Sequence, residues 1–148
     1  MKKFLSFAIA IIACALTFTS CDPNIDSPIV GNWNTRGYLV ETDPTDGISR
    51  EYEVSLSLSF FDNGQYQYNI YYYGTFNGYV KRGTWSVKDD KLTIRTQKSG
   101  KIRNNEFIYD NFTTTEEVVT WRIEGHYLHL TYSDGHEESY YDGSGPNY

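Results

Sequence analysis

Three histidines, His126, His129 and His136, sit close together late in the chain and are the first candidates for acid–base or metal chemistry. A metal ion would need them to converge with a carboxylate. Alternation instead puts His126 in one turn and His136 just beyond another, at opposite ends of the strand that carries His129, so no shared ion is expected. His136-Glu137-Glu138-Ser139-Tyr140 begins like His-Glu-x-x-His, but Tyr140 stands where the second histidine belongs, and that motif works on a helix. No Gly-x-Ser-x-Gly elbow and no glycine-rich phosphate loop leads into a helical pattern. Paired carboxylates such as Asp89-Asp90 and Glu116-Glu117 fall in a turn and at a strand start, where they read as solvated charge. The expectation is a protein that is not an enzyme and uses neither metal nor cofactor.

The cysteines point to a different chemistry. Only two are present, Cys14 and Cys21. Lys2 and Lys3 followed by the apolar run Phe4 to Leu16 and the small polar residues up to Ser20 form a secretory leader, expected over residues 1–20. The run is too short for a comfortable membrane span, which needs about 20 apolar residues. Cys14 would leave with the leader, and Cys21 alone would remain, unable to close an internal disulfide. Residues 21–28, with Pro23 and Pro28 among polar neighbours, read as a short extended tether. One folded domain is expected over 29–148.

Composition narrows the partners. Acidic residues outnumber basic ones, 19 to 13, and the net charge is −6. Loss of Lys2 and Lys3 would leave the rest more acidic still. Phosphate recognition needs concentrated positive charge, so no nucleic acid is expected. Fourteen tyrosines dominate the aromatic content. Tyrosine suits pleated, half-buried surfaces and keeps a polar tip that a ligand or water can reach. Tyr66, Tyr68, Tyr72, Trp85 and Trp121 are the candidates for the wall of a ligand pocket, against the alternative that they simply fill a core. Tyr71, Tyr73, Phe76 and Tyr79 could offer an outer aromatic platform for an envelope protein or glycan, or form a cross-strand ladder that stiffens a hairpin.

Alternation is what must position these side chains, since no helical period appears after Ile29. Tyr52, Val54, Leu56, Leu58 and Phe60 share one face, with Glu51, Glu53, Ser55, Ser57 and Ser59 on the other. Asp62-Asn63-Gly64 then reads as a hairpin turn. Tyr66 to Tyr72 return, Gly74 to Gly78 form a loop, and Tyr79 to Lys88 follow, with Gly83 marking a bulge or bend in mid-strand. Asp89-Asp90 turns the chain into Leu92, Ile94 and Thr96. Lys98 to Asn105 read as a polar, basic loop, and Glu106 to Thr113 as a weaker strand. Val119 to Ile123, Leu128 to Tyr132 and Glu138 to Tyr141 complete the series, and an opening strand covers Val30 to Val40. The fold class is all-β: an up-and-down antiparallel β-barrel of about eight strands, because closure removes exposed edges. A two-sheet β-sandwich is the alternative.

Two resemblances follow from these residues. Thr19-Ser20-Cys21 after the leader resembles the lipobox of bacterial lipoproteins, with Phe18 where Leu is common. That implies acylation of Cys21 and attachment to a bacterial membrane, here expected to be the outer membrane. Gly31-Asn32-Trp33 resembles the Gly-x-Trp motif of lipocalins. Together with Leu58-Ser59-Phe60-Phe61-Asp62-Asn63-Gly64, Gly83-Thr84-Trp85-Ser86-Val87, Lys91-Leu92-Thr93-Ile94 and Tyr127-Leu128-His129-Leu130-Thr131, it is similar to the lipocalin-like domain of Bacteroidetes-type lipoproteins. The resemblance implies an eight-stranded barrel with Gly31 and Trp33 at the closing end, and a small apolar or amphipathic ligand inside. The mid-chain Thr-Asp-Tyr of true lipocalins is absent. Arg122, the one arginine after Arg103, is expected to face away from Trp121.

Overall fold

A computed structural model describes residues 26–143. The leader read over 1–20 and Cys21 lie outside those residues, as does the tether up to residue 25. Among the described residues there are nine strands and no helix: β1 (Gly31–Thr42), β2 (Ser49–Phe60), β3 (Gln65–Tyr72), β4 (Gly78–Lys88), β5 (Lys91–Arg103), β6 (Glu106–Tyr109), β7 (Thr115–Glu124), β8 (Tyr127–Thr131) and β9 (Glu137–Tyr141).

Every pairing is antiparallel, and eight strands close on themselves in the order β1-β2-β3-β4-β5-β7-β8-β9, with β6 added to the distal half of β5. The fold is therefore an up-and-down β-barrel, and the sandwich alternative falls because one continuous ladder runs round to its start. Closure is thinnest between β1 and β9, which meet at the single pair Asn34 and Tyr141.

The connections are those the turn residues dictate. Gly64, Gly125 and Gly135 take positive φ between β2 and β3, β7 and β8, and β8 and β9. Asp89 takes φ 56° in the β4–β5 turn, a conformation Asp tolerates better than bulkier residues. The segment expected to be a basic loop differs: β5 continues to Arg103 and pairs with β4 on one side and β6 on the other. Lys98 to Arg103 have little strand propensity, but pairing on both edges overrides it. Asn104 and Asn105, both at positive φ, make the two-residue turn into β6, the backbone that a type I′ hairpin needs. β6 itself stops at Tyr109, short of the expected Thr113.

The core is densest towards one end of the barrel, and Leu58, Tyr66, Leu130 and Tyr140 carry it on to the wall of the remaining space. Ile29, Trp33, Phe60, Trp85, Leu92, Val119 and Leu128 are buried together at the denser end, where burial is worth roughly 1.5–3 kcal/mol per large apolar side chain. The chain enters through Ile29, fully buried, whose carbonyl accepts a 2.8 Å hydrogen bond from the Trp33 indole. Gly31, at φ 144°, makes the bend between them. A second, smaller buried set lies on the outward face, where Val80 and Ile102 have no measurable exposure beyond 1% and share their face with Phe107 and Tyr109 of β6.

The expected irregularity at Gly83 is real: the register shifts between Arg82 and Gly83, leaving Gln97 of β5 unpaired in the ladder. A Cβ on Gly83 would lie 1.8 Å from the Arg95 carbonyl oxygen and 3.0 Å from the Tyr66 ring. The bulge thus needs glycine to let β4 and β5 approach. Gly83→Ala should lower stability by about 1–3 kcal/mol, read as the shift in urea midpoint. An unchanged midpoint would show that the strands do not pass so closely.

Candidate functional site

At the other end the inward stripes stop being apolar. On β4 the inward sequence runs Val87, Trp85, Gly83, Lys81; on β7 it runs Ile123, Trp121, Val119, Glu117; on β9 it ends on Tyr140 and Glu138. β4, β7 and β9 alternate with β5 and β8 round the barrel and so run in the same direction, which brings all three charged residues to the same end. There they surround a cavity of about 310 Å³. Leu58, Ile94 and Leu130 form its apolar wall, four tyrosines (Tyr66, Tyr68, Tyr132 and Tyr140) line its sides, and Lys81, Glu117, Glu138 and His136 bring the charge.

The tyrosines are held by specific partners. Tyr132 and Tyr140 each donate a 2.7 Å hydrogen bond to Oε2 of Glu138, and the Tyr66 hydroxyl is hydrogen-bonded to Thr96 Oγ1. His136 stacks on Tyr132 with ring centroids 4.2 Å apart, and its Nδ1 lies 2.5 Å from Asp134. Burial raises all four phenols above their ordinary value, and the carboxylates add to it. Tyr68 is pushed up to about 12 by burial and by the charge of Glu138. Tyr66 is raised by burial and by Glu117; Tyr132 by burial, then by Glu138 and Glu117; Tyr140 by burial, then by Tyr68 and Glu138. Each shift disfavours a phenolate. Burial in the cavity opposes a charge of either sign, and the carboxylates add a smaller bias against a negative one.

Of the five sequence-predicted pocket residues, the structure brings two to this cavity, Tyr66 and Tyr68. Trp85 lies in the packed half, edge-on to Phe60 at 5.3 Å, with its indole donating to the Phe61 carbonyl at 3.0 Å. Trp121 packs against the same core and donates to the Asp89 carbonyl at 3.2 Å, tying β7 to the β4–β5 turn. Tyr72 belongs to a separate cluster beyond the cavity. Its hydroxyl and that of Tyr79 both donate to Oε1 of Glu41, at 2.5 and 2.6 Å, and the two hydroxyls lie 3.2 Å apart. Tyr79 is therefore not part of an outer platform with Tyr71 and Tyr73, because the pairing of Ile70 with Tyr79 puts it on the inward face. Tyr73 and Phe76 remain 55% and 67% exposed, and the Arg36 guanidinium sits 5.0 Å from the Tyr73 ring centre.

The histidines find separate carboxylates. His126 Nδ1 lies 3.0 Å from Asp142, His129 Nδ1 lies 2.8 Å from Ser139 Oγ and 3.3 Å from Glu137, and His136 pairs with Asp134. Among the described residues no three metal-ligating side chains converge. Arg122 points outward between Glu137 and Glu124, at 2.6 and 3.0 Å, away from Trp33. Comparison with protein families, with curated proteins and with solved structures finds no match.

Sequence reasoning missed Lys81, Glu117, Tyr132, Glu138 and Tyr140 as cavity residues. The signal was present in the alternation: Lys81, Glu117 and Glu138 stand two residues from Gly83, Val119 and Tyr140 and so share their inward face.

Glu41 joins β1 to β3 and β4 through its two tyrosines, which hold its carboxyl below the ordinary carboxylate value, Tyr72 more than Tyr79. A lowered carboxyl contributes stability above its unfolded value, near 4.5, and loses it as pH falls through the folded one. Glu41→Gln should therefore lower the urea midpoint at pH 7, by about 1 kcal/mol in stability. The gap to the unsubstituted protein should close once acid titrates Glu41. A gap that persists undiminished in acid would refute the carboxylate's role.

Proposed function

We propose that this protein is a lipid-anchored lipoprotein of a bacterial envelope, expected on the outer membrane, whose lipocalin-like barrel binds one small amphipathic molecule and performs no chemistry on it. The observation that carries the reading is the half-filled barrel. Eight strands enclose an interior that side chains can fill or that can hold one small ligand, and here only one half is packed. The open half, at about 310 Å³, sits at the lower end of the range for small-molecule sites, roughly 300–1,000 Å³. Its composition also suits that use: an apolar wall for a tail, and tyrosine hydroxyls and charges at one end to orient a head.

Positioning in the envelope rests on Cys21 and on the leader before it. Acyl chains contribute about 0.8 kcal/mol for each CH₂ buried, so several chains on one cysteine would hold the barrel at a bilayer. The tether would keep the domain just above it.

Two measurements test these readings. Native mass spectrometry of protein taken gently from its own cells should show an adduct, and Ile94→Trp, which extends a ring into the cavity from its apolar wall, should remove it while the β-sheet circular dichroism persists. A wild-type protein always free of adduct, and unable to shift any small amphiphile's signal, would end the binding reading. For the anchor, Cys21→Ser should abolish incorporation of a labelled fatty acid and release the protein from membranes. Label retained in that variant would end the localisation reading.

A further inference from the structure

We propose that the molecule held in the barrel is a cation: an organic amine whose ammonium sits between Glu138 and Glu117 against the tyrosine rings, with its apolar part on Leu58, Ile94 and Leu130. This rests on the binding reading above and goes beyond it by fixing the charge of the head group.

Three features of the cavity lead there. The first is the placement of Glu138. Its Oε2 takes the hydroxyls of Tyr132 and Tyr140, both at 2.7 Å, so the carboxylate is aimed by two rigid rings. Its Oε1 has His136 Nε2 at 3.9 Å, too far for a hydrogen bond, which leaves room for a donor from a ligand. The second is the ring composition. Tyr66, Tyr68, Tyr132 and Tyr140 present π-faces and hydroxyl dipoles, and an ammonium near such faces is attracted by the ring quadrupole. The third is the balance of charge on every element that faces the cavity. Glu117 on β7 and Glu138 on β9 oppose Lys81 on β4, with His136 at the rim. Lys81 is exposed, so its long stem can carry its ammonium outward into water, whereas Glu138 is tied inside by its tyrosines.

Burial is the largest cause that holds Tyr66, Tyr68, Tyr132 and Tyr140 away from ionisation, and Glu117 and Glu138 add to it; that added part also opposes a bound fatty-acid carboxylate or phosphate. An amine reverses the sign of the interactions with Glu117 and Glu138. It also offers a cationic partner to Glu138, whose side chain is 37% exposed.

The test uses three probes of one shape and different charge, titrated calorimetrically into the full chain: phenethylamine, phenethyl alcohol and hydrocinnamate. The expected order is amine tightest, alcohol weaker and carboxylate weakest. Glu138→Gln keeps an acceptor for Tyr132 and Tyr140, so the fold should hold. It should weaken the amine about tenfold or more while leaving the alcohol unchanged. Glu117→Gln, at the exposed rim, gives the same direction with a smaller effect and guards against a misfolded Glu138 variant. Lys81→Met should tighten the amine. Alcohol or carboxylate binding as tightly as the amine would overturn the charge assignment and leave the binding reading standing. Failure of all three probes to bind would overturn both.

Discussion

Closing a sheet obliges its first and last strands to find each other, and in this barrel they do so through one pair, Asn34 with Tyr141. Everything else in the architecture is arranged around that narrow contact. β1 and β2 run together over twelve residues each, whereas β8 and β9 have five apiece. The wall is therefore tall on one side and low on the other. Where it is low, β1 past Asn34 has no partner strand on its outer edge among the described residues. That edge is managed by cross-links from the inward side: Glu41 bonds Tyr72 and Tyr79 and so pins the far part of β1 to β3 and β4. At its base the same strand is fixed by Ile29 and Trp33, which seal the packed end.

The asymmetry in height explains why one half of the interior is solid and the other open. At the packed end Trp33, Phe60, Trp85, Leu92, Val119 and Leu128 come from six different strands, and Trp85 packs edge-on against Phe60. Towards the low wall the inward positions of β4, β7 and β9 become Lys81, Glu117 and Glu138. Apolar side chains at these sites could collapse on one another, since interiors favour close packing. Charged groups cannot, because each must keep a partner or water. The opening is thus preserved by the chemistry of its lining.

Much of this was legible in the sequence because a closed antiparallel sheet obeys one rule, period two, on every strand. The alternation from Val54 to Phe60, the glycine-bearing turns and the Gly83 bulge were all readable for that reason. What period two does not encode is height along the barrel axis. Tyr66, Tyr68, Tyr72, Trp85 and Trp121 share an inward face, yet they fall at three levels: cavity, carboxylate clamp and core. Only the register between strands separates them, as when Tyr68 is found opposite Lys81 and Tyr66 opposite Gly83. The distal part of β5 escaped for another reason. Lys98 to Arg103 carry a loop composition, and the strand exists there through its two neighbours. The Asn104-Asn105 pair, able to adopt positive φ at both positions, was the local clue to that hairpin.

Glu138 shows how the interior holds itself open. A carboxylate taken partly out of water is costly unless hydrogen-bonded, and the hydroxyls of Tyr132 and Tyr140 supply two such bonds to Glu138. Those rings cannot swing into the open half without breaking their bonds to Oε2, so two of the four tyrosines that line the space are held at its wall. Exchange of such a buried polar set for apolar residues of equal volume is commonly neutral or stabilising. Stability alone therefore gives no reason for a glutamate here. The proposed ligand would give the carboxylate a second task, carried by Oε1, the oxygen that Tyr132 and Tyr140 do not engage.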